Sequence, residues 1–141
     1  MDQSFEEVSF TKEQLQNCLP AKCKSSISDE FVTRMNGLTD PEIADQFREN
    51  FYDYHSILKD GRYKLTDYAN AVKYVTYRLM DNGIVDSYSQ AFPDKYHAMV
   101  QKGRSRDFIS SIASAYNKNK LVMGIFEQSL IPTHLVNAHI H

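Results

Sequence analysis

Carboxylates are the first side chains of this sequence that could catalyse a reaction. Acidic residues recur between positions 40 and 53, a pattern that resembles the paired carboxylates of a hydrolase. Their placement at the start and along one face of a predicted helix is better explained by the helix dipole and by solvation. The sequence contains no glycine-rich phosphate loop, no G-x-S-x-G and no H-E-x-x-H motif. We therefore predict that the chain is not an enzyme.

Cysteines and histidines are the remaining candidates for a metal site. Cys18 and Cys23 are the only cysteines, and without a histidine nearby in the sequence they supply at most two ligands for structural zinc. We interpret them as ordinary thiols, and His55 and His97 as packed or surface histidines. Three histidines lie near the end of the sequence: His134, His139 and His141. Their spacing does not place three imidazoles on one helical face. We expect neither a metal nor another cofactor.

Charge is distributed unequally along the sequence. The formal net charge is -2, yet residues 1–60 hold 12 acidic and 6 basic side chains, whereas residues 61–141 hold 6 acidic and 10 basic ones. Between positions 94 and 120 basic residues outnumber acidic ones, which makes this segment the best candidate surface for a polyanion. Its basic residues are Lys95, Lys102, Arg104, Arg106, Lys118 and Lys120. We predict an acidic N-terminal helical region, 1–60, and a DNA-binding region, 61–141.

Signals for the start and end of helices recur along the whole sequence, and no strand pattern competes with them. They predict an all-α fold, a compact bundle of about six to eight short helices. Among the early helices, Ser28 is expected to cap one that Gly37 ends in the left-handed conformation. The next is expected to begin after Asp40 and, from its apolar spacing, to reach about Leu58.

The second half of the sequence is predicted to hold a series of shorter helices. A helix is expected over 66–81, with Tyr68, Val72, Val75 and Leu79 on one buried face. The later helices are expected over 84–92, over 94–102 after Pro93, from about Ser105 onward, and after Pro132. Most tyrosines recur at helical spacing, which indicates core packing rather than platforms for stacking bases.

The order of these helices is that of a helix-turn-helix unit. Between positions 66 and 106 a helix, a tight turn with glycine and two short helices precede the basic residues. Tyr96, Met99 and Val100 share a face that we expect to point inward. The side chains expected to point outward, where they can reach phosphates or base edges, are Lys95, His97, Gln101, Lys102, Arg104 and Arg106.

Part of the sequence resembles the N-terminal DNA-binding part of phage terminase small subunits. The segments YVTYRLMDNG (74–83) and VDSYSQAFPD (85–94) carry the resemblance. In that family an aromatic-rich helix leads through a short turn into an "A-Y-x-x-A-Y/F-P" type helix. The segment AYNKNKLV (115–122) resembles the helix that follows there. The likeness covers about half of the chain, roughly residues 65–135.

The resemblance implies a packaging component without enzymatic activity. Such a protein recognises the packaging site of a viral genome, assembles into a ring and delivers double-stranded DNA to the large terminase subunit. The resemblance also implies that Lys95, Gln101, Lys102, Arg104 and Arg106 contact DNA, and it leads us to expect a homo-oligomer in the full-length form. No cofactor is implied.

Two other functions are consistent with the sequence. One is a small phage or bacterial helical adaptor that binds or inhibits a host protein through an acidic face containing Glu42, Asp45 and Glu49. The other is a helix-turn-helix transcriptional regulator. The sequence has no run of 18 apolar residues and no signal-peptide pattern, so we expect a cytoplasmic protein with no membrane partner, in the host cytoplasm if viral.

Overall fold

The structure, a computed structural model, describes residues 9–130. Within that range the chain is all-α, as the sequence predicts, and contains eight α-helices and no strand. The helices are α1 Lys12–Cys18, α2 Asp29–Met35, α3 Pro41–Asp53, α4 Leu65–Leu79, α5 Ile84–Ala91, α6 Pro93–Gln101, α7 Arg106–Asn117 and α8 Lys120–Ser129. Two short 3-10 helices lie at Ala21–Ser26 and His55–Leu58. The helix predicted after Pro132 lies outside the described residues.

The chain divides into two compact units, Met1–Ala69 and Asn70–His141. The first unit contains α1, α2 and α3, the second contains α5 to α8, and the division falls within α4. We describe each unit by itself.

Local hydrogen bonds fix the starts of the helices in the first unit. The Ser28 hydroxyl accepts the N–H of Phe31 at 3.0 Å, and the Asp40 carboxylate accepts the N–H of Glu42 at 2.9 Å. Serine and aspartate are favoured at these positions because their side chains satisfy N–H groups that have no acceptor within the helix. The predicted cap at Ser28 is therefore confirmed, and α3 begins after Asp40 as predicted.

The end of α2 differs from the prediction for Gly37. The helix ends at Met35, and the glycines with positive φ among residues 9–130 are Gly61 and Gly103. The Asn36 side chain instead donates to the carbonyl of Phe10 at 3.0 Å and accepts its N–H at 2.8 Å. The carbonyl of Arg34 in α2 is bound by the N–H of Gly37 at 3.1 Å, without a left-handed residue.

Helix α3 also ends earlier than the predicted Leu58. Its last residue is Asp53, and a 3-10 helix follows. The Tyr68 hydroxyl donates to the carbonyl of Phe51 at 2.6 Å, and His55 Nδ1 donates to the carbonyl of Tyr52 at 2.6 Å. Carbonyl groups in the last turn of a helix lack N–H donors within the helix, and here two side chains supply the donors.

Aromatic rings form the core of the first unit. Their centroids lie 5.0–6.3 Å apart, and most pairs meet edge to face. Because each such ring buries a large apolar area, the cluster holds α3 and the start of α4 in place. The rings are those of Phe10, Phe47, Phe51, Tyr52 and Tyr68.

A second aromatic cluster forms the core of the second unit, where α5 packs on α6 and α7. The ring of Tyr116 lies 5.0 Å from Tyr74, 5.8 Å from Tyr88 and 4.9 Å from Phe92. The Tyr74 hydroxyl donates to the Asn117 side chain at 2.6 Å. Tyrosines therefore serve as core residues here, as the sequence predicts.

The helix boundaries of the second unit follow the predicted signals closely. Pro93 is the first residue of α6, and Gly103, with φ of 76°, ends the turn that follows it. The Ser105 hydroxyl accepts the N–H of Phe108 at 3.1 Å and begins α7. Leu79 departs from the prediction, because as the last residue of α4 its side chain is 46% exposed rather than buried.

Candidate nucleic-acid interface

Helix α6 lies on the surface of the second unit and contains no buried residue. Tyr96 and Met99 are half-buried, as expected for an inward face, but Val100 is 49% exposed, so that part of the prediction is wrong. The reason is that a helix of 9 residues resting on two side chains leaves the rest of its circumference in solvent. The helix is therefore accessible to a large ligand.

The polar residues predicted to line this surface are all exposed. Within residues 9–130 none of its cations lies within 4.0 Å of a carboxylate, since the ion pairs found there involve other residues. No carboxylate of residues 9–130 therefore neutralises their positive charge through an ion pair. The exposed residues around α6 and the start of α7 are Lys95, His97, Gln101, Lys102, Arg104 and Arg106.

Aromatic rings hold two of these cations. Lys95 Nζ lies 5.0 Å from the ring centre of Phe92, and Arg104 Cζ lies 4.9 Å from that of Phe108. Cation–π contacts of this kind restrict the side chains without removing their charge. Neither ring is predicted above as part of this surface, although each lies three or four positions from its cation, which is helical-neighbour spacing.

The N-terminus of α7 adds backbone donors to the same region. The first turn of a helix has N–H groups without intrahelical acceptors, and the helix dipole favours an anion there. In α7 this turn begins after Ser105 and is flanked by Arg104 and Arg106. Phosphate groups bind at helix N-termini for these reasons.

Lys118 and Lys120 do not join this group. Lys118 caps the C-terminus of α7 and Lys120 begins α8, and both are exposed. Since α7 has 12 residues, the two lysines lie at its far end, about 18 Å along the axis from Arg106. They could reach only a different part of an extended ligand.

The acidic residues predicted to bind a protein partner share one exposed face of α3. Glu42, Asp45 and Glu49 line a groove of about 360 Å³ that also contains Arg48 and Tyr52. Arg48 lies 3.4 Å from Asp45, so the face is partly neutralised by its own arginine.

A cysteine and a histidine come together in the first unit. Cys18 Sγ lies 3.8 Å from His55 Nε2, although 37 positions separate the two residues. This pair is not predicted from the sequence, because only histidines close to a cysteine in sequence indicate a shared site there. No group of three or more potential metal ligands occurs among residues 9–130. His134, His139 and His141 lie outside that range.

The helix-turn-helix arrangement itself stays a prediction. Residues 80–83 link α4 to α5, a turn of suitable length with Gly83 at its end. Phe92 alone links α5 to α6, whereas the motif uses a turn of about three or four residues. The predicted order of helices is present, but the second link is tighter than the motif requires.

Comparison with known proteins adds no further identification. No protein family, no curated protein and no solved structure matches this chain. In the part of the chain that the structure describes, every helix is too short or too polar to cross a bilayer.

Proposed function

We propose that this chain is a DNA-binding protein without enzymatic activity, which contacts the duplex through a basic surface made of Lys95, Lys102, Arg104 and Arg106. The observation that carries the proposal is that these four cations surround one exposed helix and that none is paired with a carboxylate of residues 9–130. A phosphate backbone attracts cations of this kind because their binding releases condensed counterions.

The side chains can be divided into those that position the protein on the phosphate backbone and those that contact the bases. Lys95, Lys102 and Arg106 bind phosphates, while Arg104, held on the Phe108 ring, presents a planar guanidinium to a phosphate or to guanine. Gln101 and His97 are exposed on α6 and have the donors and acceptors that base edges need. A helix with side chains is about 10 Å across, which fits a major groove about 12 Å wide.

The resemblance to phage terminase small subunits supports a more specific form of this proposal. In that form the protein recognises a packaging site, assembles into a homo-oligomeric ring and transfers DNA to the large terminase subunit. A helix-turn-helix transcriptional regulator would use the same surface as a dimer on a palindrome. Light scattering of the protein bound to DNA distinguishes a ring from a dimer.

The test is a charge reversal on the basic surface. With about four phosphate contacts, affinity for a labelled duplex should fall roughly a hundredfold between about 50 mM and about 200 mM salt. The triple variant K102E/R104E/R106E should lose most of this affinity, and its salt dependence should flatten by about three contacts. Fluorescence anisotropy across a salt series measures both quantities.

A matched control reverses three exposed lysines of the first unit, in the variant K24E/K59E/K64E. It changes the net charge by the same amount, so it should retain the salt slope of the unmodified chain. Equal losses in both triple variants would refute a localised DNA surface. Absence of DNA binding at low salt, together with a protein partner sensitive to Glu42, Asp45 and Glu49, would replace the proposal with the adaptor.

A further inference from the structure

The thiol of Cys18 and the imidazole of His55 form a directed pair in the first unit. Cys18 is the last residue of α1, and its Sγ lies 3.8 Å from His55 Nε2. The other ring nitrogen, Nδ1, lies 2.6 Å from the carbonyl oxygen of Tyr52. Because a carbonyl can only accept, Nδ1 carries the proton, and in a neutral imidazole Nε2 is left as the acceptor for the thiol. The Cys18 thiol, the His55 imidazole and the Tyr52 carbonyl thus form a hydrogen-bonded series of a nucleophile, a base and a group that orients the base.

Two further observations distinguish Cys18 from a structural thiol. Cys18 is partly exposed, whereas Cys23 is only 6% exposed, so a small reagent can reach the first sulfur much more readily than the second. The hydroxyl of Tyr52 is buried and has no hydrogen-bond partner within residues 9–130. Burial, and to a smaller extent the charge of Cys18, raises the pKa of Tyr52, so this phenol is a protonated donor near neutral pH.

We propose that Cys18 is a reactive thiol that forms mixed disulfides with small-molecule disulfides, and that His55 acts as its general base. Cys18 Sγ attacks one sulfur of the disulfide while its proton passes to His55 Nε2. A new bond forms between Cys18 Sγ and that sulfur, and the sulfur–sulfur bond of the reagent breaks. The departing thiolate then takes the proton from His55. One disulfide is exchanged for another, so no further oxidant is needed.

The surroundings of Cys18 require a base of this kind. Burial raises the pKa of the Cys18 thiol, and the C-terminal end of α1 also disfavours a thiolate. The charge of Cys18 also contributes to raising the pKa of Tyr52 and Tyr68, and burial, the largest cause for both, keeps these phenols protonated. Cys18 is consequently a neutral thiol near neutral pH, and removal of its proton must accompany the attack.

The test measures mixed-disulfide formation with oxidised glutathione by mass spectrometry, in the variant C23S, where Cys18 is the only thiol. The folded protein should react faster than the same chain unfolded in urea, although Cys18 is partly buried. The second variant adds H55N, whose amide can still donate to the Tyr52 carbonyl but cannot accept a proton. Its rate near neutral pH should fall about a hundredfold or more, because general-base catalysis typically contributes about 10²–10⁴-fold.

The dependence on pH separates this role from a structural one. In H55N the rate should rise about tenfold per pH unit between about pH 7 and about pH 9, because only the thiolate fraction reacts. With His55 present the rise should be clearly shallower. The control H97N changes a histidine whose ring contacts Tyr96, and it should react as C23S does. Thermal unfolding of each variant confirms that the fold is retained.

Several results would overturn the proposal. One is an unchanged rate in a folded H55N variant, which would make the pair a structural link between α1 and the 3-10 helix. Another is the same steep pH dependence with and without His55. A folded C23S chain that reacts more slowly than the unfolded one would equally exclude activation. None of these results depends on whether the protein binds DNA.

Discussion

Both units are built around aromatic clusters, but the polar groups beside those clusters differ. In the first unit they point inward: the Tyr68 hydroxyl binds a backbone carbonyl, and His55 lies between another carbonyl and the Cys18 thiol. In the second unit the rings at the edge of the cluster support charge, since Phe92 lies beneath the ammonium of Lys95. Both cores contain a tyrosine hydrogen bond, but the first unit adds the pair of Cys18 and His55, whereas the second supports exposed cations.

This difference indicates two kinds of chemistry. Short, directed contacts such as the pair of Cys18 and His55 act on a small molecule at one atom and respond to pH. Exposed, unpaired cations act over several ångströms on an extended polyanion and respond to salt. The two proposals can therefore be tested independently.

The largest expected effect contrasts two phenylalanines. Phe51 is fully buried and contacts four other rings, so F51A should lower the free energy of unfolding by about 3–5 kcal/mol. Phe108 is 39% exposed beneath Arg104, so F108A should cost about 1 kcal/mol or less. F108A should nevertheless weaken DNA binding, because Arg104 loses its support. Urea denaturation followed by circular dichroism and anisotropy with a duplex measure the two effects.

Equal stability losses in the two variants would contradict the comparison, since Phe108 would then be a core residue. Unchanged DNA affinity in F108A would show that Arg104 needs no ring beneath it. The variant F108L retains apolar area without the aromatic face and separates these outcomes.

A smaller effect is expected from the hydroxyl groups of two buried tyrosines. Y68F leaves the carbonyl of Phe51 unpaired in a buried position and should cost about 1–3 kcal/mol. Y74F removes a bond to the side chain of Asn117, which is partly exposed and can turn to water, so about 1 kcal/mol is expected. Urea denaturation of both variants checks the order, and the reverse order would contradict it.

Helix starts could be predicted from the sequence because their causes are local. Ser28, Asp40 and Ser105 each bind an N–H group two or three positions ahead. Both partners of each of these hydrogen bonds lie within one short stretch of the sequence. The predictions of α6 and α7 depended on such signals, and their bounds agree closely with the structure.

The predicted ends of two helices were wrong, and at both ends the structure shows contacts with residues far away in the sequence. Asn36, the residue after α2, binds Phe10 across 26 positions, and the hydroxyl of Tyr68 binds a carbonyl in the last turn of α3 across 17 positions. Nothing in the local sequence near Gly37 encodes such partners. The spacing of Val100 predicts a buried position, yet the residue is 49% exposed. Periodicity does not reveal how much of a short helix its neighbours cover.

The candidate sites divide in the same way. The exposure of Lys95, Lys102, Arg104 and Arg106 could be predicted, because charged residues rarely lie buried. Their function stays a prediction. The contact between Cys18 and His55 could not be predicted from one sequence, because folding alone brings residues so far apart in the chain together.

The smallest expected effect concerns two carboxylates at opposite helix ends. Asp53 ends α3, and partial burial and the nearby Glu49 raise its pKa, whereas Asp107 lies in the first turn of α7. A raised pKa means that the folded state binds the proton more tightly than the unfolded state. Ionised Asp53 therefore lowers stability above its folded pKa, and this cost disappears as pH falls below the unfolded value of about 3.9.

D53N should accordingly raise stability near pH 7 by a few tenths of a kcal/mol at most, since solvent screens an exposed carboxylate, and the gain should vanish near pH 3. D107N should have the opposite sign, because it removes a negative charge from a helix N-terminus. It should also strengthen DNA binding by removing an acidic group beside Arg106. Urea denaturation at both pH values and anisotropy at low salt measure these changes. A stabilising D107N that left DNA affinity unchanged would place Asp107 outside the basic surface and weaken the contrast between the two units.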